Sequence, residues 1–288
     1  MKGIWAAVLT PVDAALVPDA SCAIPYYGEL LGRGCDGINL LGTTGEAMSF
    51  SADQRLTFME AIGSSGLPRD RVMAGTGAAS LGDAVRLTRR AFELGFAAAL
   101  IMPPFFFREA SEDGTLAFFE ALVARTSPPR KSIMLYNFPR MSGITFHAAL
   151  VDRLLDEFPD AIGGMKDSSN DDRLQAELHA RRPGFWIFPG SERDLLAAKA
   201  RGVAGCVSGS VALWPELASA AFATADQKAA AELSEKRALL DGFPFIPAVR
   251  HLTATALRSP QWERAMPPHQ PLSADRRRAL ARAVQCNP

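Results

Sequence analysis

Lys166 is the residue of this sequence best suited to covalent chemistry. It directly follows an apolar run, 161–165, whereas the other lysines lie at the chain start, at a strand start or on polar helical stretches. At the end of a buried strand the amine would enter an apolar pocket. A desolvated amine is favoured in its neutral form and can attack a carbonyl to form a Schiff base. The alternative is an ordinary ion pair with Asp167 or with a nearby glutamate.

Tyr136 and a glycine-rich segment supply groups that could act beside such an amine. Tyr136 ends the apolar run 132–136, and a phenol at that position can pass protons during imine formation and carbon–carbon cleavage. The alternative for Tyr136 is packing at a rim. The segment Gly42-Thr-Thr-Gly-Glu46 offers two hydroxyls beside backbone N–H groups, which suits a small carboxylate. The alternative for this segment is a plain turn.

Two other segments have less specific interpretations. Ser191 and Glu192 follow the apolar run 185–188 and could contact a ligand, although Ser191 with Asp194 is also explained as a helix cap. Residues 102–108 form an aromatic loop, and consecutive exposed aromatic side chains are unusual outside a pocket wall or an interface. Both interpretations of the loop predict that it is buried, and we expect it to contact another subunit.

A repeating pattern of strands and helices must position these residues. Short apolar runs recur about every thirty residues, and each is followed by a segment of helical period. Near-continuous apolarity over a few residues is typical of strands buried on both faces of a parallel sheet. The runs are 4–9, 37–41, 72–75, 97–102, 132–136, 161–165, 185–188 and 203–207.

This pattern predicts a (β/α)8 TIM barrel, with an open doubly wound sheet as the lesser alternative. We assign residues 1–222 to the barrel and 223–288 to a C-terminal helical extension that has no strand-like run. Functional residues of such barrels lie at the carboxyl ends of the strands, where Lys166 and Tyr136 fall. Helix N-caps are predicted at Ser51, Ser80, Thr145, Ser169 and Ser191.

Composition excludes several classes of protein. Of the 288 residues, 48% are hydrophobic and 22% are charged, as is typical of a soluble globular chain. Lys+Arg and Asp+Glu both total 31, so no net field would attract nucleic acid or a membrane surface. No apolar run approaches the ~18–20 residues that span a bilayer, and the apolar start is too short for a secretory signal.

Cysteines and histidines are few and scattered. Cys22, Cys35, Cys206 and Cys286 show no Cys-x-x-Cys spacing, and the four histidines are isolated from one another. This distribution predicts a reducing, cytoplasmic location, no disulfide framework and no metal site.

Taken in order, the motifs resemble those of the dihydrodipicolinate synthase / N-acetylneuraminate lyase family of Schiff-base aldolases. The resemblance implies a (β/α)8 barrel with a C-terminal helical extension, usually a homotetramer, with no metal or organic cofactor. The motifs are Gly42-Thr-Thr-Gly-Glu46, Ala74-Gly-Thr-Gly77, Pro103-Pro-Phe105, Tyr136-Asn-Phe-Pro139, Gly164-Met-Lys-Asp-Ser-Ser169, Pro189-Gly-Ser-Glu192 and Gly205-Cys-Val-Ser-Gly-Ser210.

The resemblance also implies roles for individual residues. Lys166 is similar to the lysine that forms an imine with pyruvate or another 2-oxo acid, and Tyr136 to the proton donor and acceptor. Thr43 matches the hydroxyl that joins Tyr136 in a proton relay, and Thr44 matches the group that holds the carboxylate. Val207 matches a position whose backbone faces the substrate. The expected substrate-binding residues are Thr44, Val207, Gly42, Gly190 and Arg140.

Two positions depart from the pattern of the synthase. The relay tyrosine that a neighbouring subunit contributes is matched here by Phe106, which has no hydroxyl, and both adjacent residues are also phenylalanine. The arginine that holds the second substrate's carboxylate is matched by Met141, with Arg140 one residue early. These departures favour a different second substrate or a cleavage reaction.

We therefore expect a class I aldolase or lyase that forms a Schiff base with pyruvate or a related 2-oxo acid. Its substrate would be a 2-keto-3-deoxy sugar acid or a hydroxy-oxoglutarate-type compound. One alternative is 4-hydroxy-tetrahydrodipicolinate (dihydrodipicolinate) synthase, which condenses pyruvate with aspartate semialdehyde. An alternative of another class is a non-catalytic protein that binds a 2-oxo acid.

Overall fold

A computed structural model describes residues 1–285, and Cys286 lies outside the described residues. The described residues form eight parallel strands in one sheet, in the order β7-β6-β5-β4-β3-β2-β1-β8. The strands are β1 Gly3–Ala7, β2 Gly37–Leu40, β3 Val72–Gly75, β4 Ala98–Ile101, β5 Ile133–Asn137, β6 Ile162–Asp167, β7 Trp186–Pro189 and β8 Gly205–Ser208.

The sheet curls into a nearly closed barrel. Ala204, just before β8, donates its backbone N–H to the carbonyl of Ile187 on β7 at 2.8 Å, which brings the two ends of the sheet together. The (β/α)8 prediction is confirmed, and the open doubly wound sheet is wrong.

Helices follow the strands and form the outer layer. The helices are α1 Ala20–Gly32, α2 Ala52–Gly63, α3 Leu81–Glu93, α4 Glu112–Thr126, α5 Pro139–Ser142, α6 Ala148–Glu157, α7 Asp172–Arg181, α8 Leu195–Ala200, α9 Pro215–Ala223, α10 Gln227–Ala238, α11 Phe245–Ala256 and α12 Ala274–Gln285. Within residues 1–285, none of these helices is both long and apolar enough to cross a membrane. The division of the chain at residue 222 stays a prediction, although α9 ends and α10 begins close to it.

Side chains on each strand alternate between the barrel interior and the helix layer. Outward-facing side chains such as Ile38 and Leu135 pack against the helices in two large clusters. The interior cluster includes Trp5, Ala7, Met73, Ala98, Leu100, Met134, Tyr136, Phe188 and Val207. The barrel is therefore filled by side chains below the carboxyl ends of its strands, as in other barrels of this class.

The helix N-caps predicted from the sequence are confirmed for some helices and wrong for others. Ser51 forms the predicted capping box at the start of α2, and Ser80 caps α3. The predicted caps at Thr145 and Ser169 are wrong, because α6 and α7 are each capped by a residue two positions later. For α7 that residue is Asp171, whose carboxylate accepts two backbone N–H bonds, while the Ser169 hydroxyl is used elsewhere.

Candidate active site

Lys166 and Tyr136 lie side by side on neighbouring strands. Their Cα atoms are register partners between β6 and β5, and both side chains enter the barrel interior at its carboxyl end. The Lys166 amine lies 4.5 Å from the centre of the Tyr136 ring. Both residues are 4% exposed, and Lys166 forms no ion pair with any carboxylate of residues 1–285. The amine is thus buried against an aromatic face without a countercharge.

Asp167 does not neutralise Lys166, because successive residues of a strand face opposite sides of the sheet. Its carboxylate accepts hydrogen bonds from Asn137 Nδ2 at 2.9 Å, from Gln175 Nε2 at 2.8 Å and from the hydroxyl of Ser169 at 2.7 Å. These bonds tie β5, β6 and α7 together behind the site. The alternative in which Lys166 pairs with Asp167 is therefore wrong.

The loop after β2 brings Thr43 to the same place. The Thr43 hydroxyl lies 3.1 Å from the Tyr136 phenol oxygen, so the two groups are hydrogen-bonded. The loop turns sharply, with Leu41 and Glu46 in the left-handed region at φ of 50° and 53°. Among the described residues, the backbone N–H groups of Thr43 and Thr44 donate to no acceptor. They remain available for an anion, as a carboxylate cradle requires.

Gly209, just after β8, leaves space for the Thr44 side chain because it has no side chain of its own. A Cβ atom at Gly209 would lie 2.7 Å from the Thr44 hydroxyl oxygen, closer than atoms pack. The loop after β8 and the loop after β2 can therefore approach each other at the mouth of the barrel only because residue 209 lacks a side chain.

These residues line a cavity of about 650 Å³, here called the large cavity. Its lining comes from the strand ends and from the start of α11. The site residues expected from the sequence that line it are Lys166, Tyr136, Thr43, Thr44, Gly190 and Arg140. The volume is sufficient for a small organic substrate.

Other expected site residues lie elsewhere. Val207 is fully buried in the interior cluster and does not line the large cavity. Gly42 lines a second cavity of about 380 Å³, which shares Thr43 and Tyr136 with the large one and is lined mostly by apolar side chains. Thr43 and Tyr136, which are hydrogen-bonded to each other, line both cavities. Gly42 therefore lies near this hydrogen bond but lines a different cavity from Lys166.

The aromatic loop is not buried as expected. Phe106 and Phe107 are 75% and 73% exposed, and their rings stack edge to face with centroids 5.3 Å apart. Phe106 lines neither cavity, whereas Phe105 lines the smaller one. Within residues 1–285 these two rings are therefore not part of a pocket wall, and the expected contact with another subunit stays a prediction.

The C-terminal extension contributes to the site, which the sequence alone did not predict. Arg237 of α10 and the segment Phe245–Pro247 at the start of α11 form one wall of the large cavity. The signal in the sequence was weak, because Arg237 lies in a polar helix beside Lys236 and no local pattern distinguishes the inward-facing residue. Ser191 lines the large cavity as well. Because no side chain caps the start of α8, the interpretation of Ser191 as a helix cap is wrong.

Glu192 lies behind the cavity wall. It is fully buried, does not line the large cavity, and neither of its carboxylate oxygens accepts a hydrogen bond from the described residues. Burial, reinforced by the nearby Glu192 carboxylate, raises the pKa of the Cys206 thiol well above its usual range. Cys206 is therefore an inert core side chain rather than a nucleophile.

Metal ligands are not gathered in the part of the chain that the structure describes: residues 1–285 contain no group of three or more histidine, cysteine, aspartate or glutamate side chains placed to hold an ion.

A barrel with a buried, uncompensated lysine at a strand end and a tyrosine–threonine hydrogen bond beside it belongs to the class of lyases and aldolases that use a lysine amine. The fold and the site define an enzyme of this class.

Comparison with known proteins narrows the class to one family. The Dihydrodipicolinate synthetase family matches residues 1–287, and the chain belongs to this family. It is 35% identical over 272 residues to an uncharacterized DapA-like lyase of Chloroflexus aurantiacus, covering 90% of both chains. It is 30% identical over 283 residues to the 4-hydroxy-tetrahydrodipicolinate synthase of Synechococcus sp. (strain CC9605), covering 96% of this chain and 92% of the relative.

Solved structures agree with the family assignment. The crystal structure of dihydrodipicolinate synthase from Agrobacterium tumefaciens superimposes with a TM-score of 0.93 at 27% identity, covering 99% of each chain. The resemblance stated from the motifs is confirmed, and so is the prediction of an enzyme of the lyase type.

Proposed function

We propose that this protein is a class I aldolase or lyase in which Lys166 forms an imine with pyruvate or a related 2-oxo acid. The observation that carries the proposal is the Lys166 amine, 4% exposed, without a carboxylate partner among the described residues and 4.5 Å from the Tyr136 ring centre. A lysine amine in such a position can attack the carbonyl of a bound 2-oxo acid and form an imine. The open space of the large cavity lies directly beside the amine.

In the proposed reaction the Lys166 nitrogen attacks C2 of the 2-oxo acid, and the carbinolamine loses water to give the imine. For a 4-hydroxy substrate, the C4 hydroxyl then loses its proton, the C3–C4 bond breaks, and its electron pair moves toward the protonated imine nitrogen. An aldehyde leaves, and the enamine that remains takes up a proton at C3. Water then hydrolyses the imine and restores the amine. Tyr136, hydrogen-bonded to Thr43, carries the protons in these steps.

The remaining roles follow from position. Thr44, with its free backbone N–H and a hydroxyl beside Gly209, binds the carboxylate of the 2-oxo acid. Gly190 allows the loop after β7 to approach Ser168, because a Cβ atom there would lie 2.1 Å from the Ser168 hydroxyl oxygen. We further propose that the enzyme needs no metal or organic cofactor, acts in the cytoplasm and assembles as a homotetramer, with the exposed Phe106 in a contact between subunits.

The substrate we favour is a hydroxylated 2-oxo acid of the 2-keto-3-deoxy sugar acid type. The hydroxyl and amide side chains of Ser168, Ser169, Asn170 and Ser191 line the large cavity and suit a chain of hydroxyl groups. Met141, which stands where the synthase has its arginine, lines both cavities and offers no charge.

The second candidate is the synthase reaction of pyruvate with aspartate semialdehyde. It is favoured by the Synechococcus relative, whose name records that activity, and by Arg140, which lines the large cavity. Efficient turnover of both substrates to the cyclic dicarboxylate by the pure enzyme would replace our proposal. Phe106→Tyr sharpens the choice, since a large gain of that activity would indicate a synthase that has lost its relay hydroxyl.

Reductive trapping tests the proposal. The enzyme is incubated with pyruvate and borohydride, and intact mass and peptide mapping locate any pyruvyl adduct. We expect one adduct on Lys166, its absence in Lys166→Ala, and its retention in Lys228→Ala, which removes an exposed lysine on α10. No adduct with pyruvate or with larger 2-oxo acids would overturn the proposal and favour a non-catalytic protein that binds a 2-oxo acid.

A further inference from the structure

The charged side chains that line the large cavity are all basic. Besides Lys166, the lining includes the guanidinium groups of Arg140 and Arg237, and no aspartate or glutamate of the described residues takes part in it. In the proposed function, Lys166 forms the imine and Thr44 binds the carboxylate next to it. Arg237 and His269 belong to the C-terminal extension, whereas Arg140 lies on α5 after β5.

Arg237 is held in a fixed position within this wall. Its guanidinium carbon lies 5.1 Å from the centre of the Phe245 ring, and its Nη1 donates to an Asp241 carboxylate oxygen at 3.0 Å. Its Nε atom is buried and donates to no acceptor among the described residues. The side chain is only 18% exposed. Stacking and the ion pair orient the group, and the side chain lines the large cavity.

Asp241 does not cancel the charge of Arg237, because it also pairs with Arg193. Two guanidiniums therefore share one carboxylate, and one positive charge is left over. Hydrogen bonding from Arg193 holds the pKa of Asp241 below its ordinary value, so the carboxylate is ionised at neutral pH. Glu192 forms no ion pair with Arg237 within the described residues.

We propose, resting on the function proposed above, that the substrate is a dicarboxylate: a 2-oxo acid whose far end carries a second carboxylate bound by Arg237. The one surplus charge of the cluster formed by Arg193, Arg237 and Asp241 matches a carboxylate better than a phosphate, which carries nearly two negative charges at neutral pH. Arg140 is the less suitable group, because it is exposed and solvent weakens an exposed ion pair.

Matched pairs of ligands test this inference without knowledge of the natural substrate. Borohydride trapping on Lys166 is titrated with 2-oxoglutarate, 2-oxoadipate and 2-oxopimelate, and with the straight-chain 2-oxo monocarboxylates of equal length. The readout is the ratio of half-saturating concentrations within each pair, so a general loss of reactivity cancels. We expect the dicarboxylate to be favoured about five- to tenfold at one chain length or more, as for a partly exposed charged contact.

Variants assign the preference to a residue. Arg237→Gln should bring the ratio close to one, and Asp241→Asn should increase it because the competing carboxylate is gone. Arg130→Gln is the matched control, since Arg130 lies outside the cavity in an ion pair with Asp160 that is 81% exposed on both sides. Thermal unfolding of each variant shows whether it is folded.

The outcomes separate this inference from the function on which it rests. A dicarboxylate preference that disappears in Arg237→Gln supports it. Equal trapping of both ligands at every length, or a preference that survives in Arg237→Gln but is lost in Arg140→Gln, overturns it while leaving the aldolase proposal standing. Absence of any pyruvate adduct in the unaltered enzyme overturns the function, and the inference with it.

Discussion

Glu46 and Arg250, 204 positions apart in the sequence, form an ion pair in which the two side chains are 0% and 1% exposed. Arg250 Nε donates to Glu46 Oε2 at 2.7 Å, and Arg250 Nη2 also donates to the carbonyl of Thr10 at 2.9 Å. The other Glu46 oxygen accepts the backbone N–H of Met266 at 3.1 Å. This pair fastens the loop that carries Thr43 to α11 of the extension.

Removing one partner of this pair should therefore strongly destabilise the protein. Arg250→Met leaves the Glu46 carboxylate buried without its countercharge, and we expect a loss of about 3–5 kcal/mol in the free energy of unfolding. Urea unfolding measures it. Arg33→Met is the control, because the pair of Arg33 with Glu216 is 36% and 58% exposed and should be worth less than about 1 kcal/mol. Similar losses in the two variants would contradict the prediction.

The hydrogen bond between Thr43 and Tyr136 predicts coupled effects on turnover. Tyr136→Phe should lower kcat by about 10²–10⁴-fold, the range for loss of a group that transfers protons. Thr43→Val should lower it less. Since both variants break one relay, the double variant should be no slower than Tyr136→Phe alone. Steady-state kinetics on the substrate identified by screening gives the three values, and multiplicative losses would show that the two hydroxyls act independently.

The hydrogen bonds of the Asp167 carboxylate hold the strand that carries Lys166, and their contribution to stability can be measured. Asp167→Asn replaces one carboxylate oxygen with an NH2 group that cannot accept a hydrogen bond, so the bond from Asn137 or the bond from Gln175 is lost, and we expect a loss of about 1.5–3 kcal/mol in stability. Asp171→Asn makes the same chemical change at the N-cap of α7, where the two residue types are nearly equivalent. Chemical denaturation of both variants gives the comparison, and an unchanged midpoint for Asp167→Asn would refute the prediction.

Burial of Cys35 predicts a loss of stability at alkaline pH. Desolvation raises the pKa of its thiol from 9.0 to about 12, so the folded protein retains a proton that the unfolded chain has released. The stabilisation is complete below about pH 9 and is lost as the pH rises toward 12, by up to about 1.4 kcal/mol per pH unit.

Urea unfolding at about pH 7.5, 9 and 10.5 checks this. The unaltered enzyme should lose more stability between the last two values than Cys35→Ala does, and Cys22→Ala, at a partly buried site, serves for comparison. Identical curves for the unaltered enzyme and Cys35→Ala would rule the explanation out.

Those parts of the site that depend on strand periodicity could be predicted from the sequence. Lys166 and Tyr136 each end an apolar run, and the alternation of side chains along a strand places both inside the barrel. The partner of Glu46 could not be predicted, because nothing local relates that loop to Arg250. Arg237 was missed for the same reason: the orientation of a polar helix against a barrel is decided by tertiary packing, not by its own composition.

The packed barrel interior has a consequence for the order in which products leave. Met134, Phe188 and Val207 fill the axis of the barrel, so ligands of the proposed site enter and leave at the carboxyl ends of the strands. In the proposed reaction, a fragment bonded to Lys166 would lie deepest, and the aldehyde released from it would lie between that fragment and solvent. We therefore expect the aldehyde to depart first and the 2-oxo acid last. Pyruvate should then inhibit cleavage competitively with the substrate, whereas the aldehyde should not.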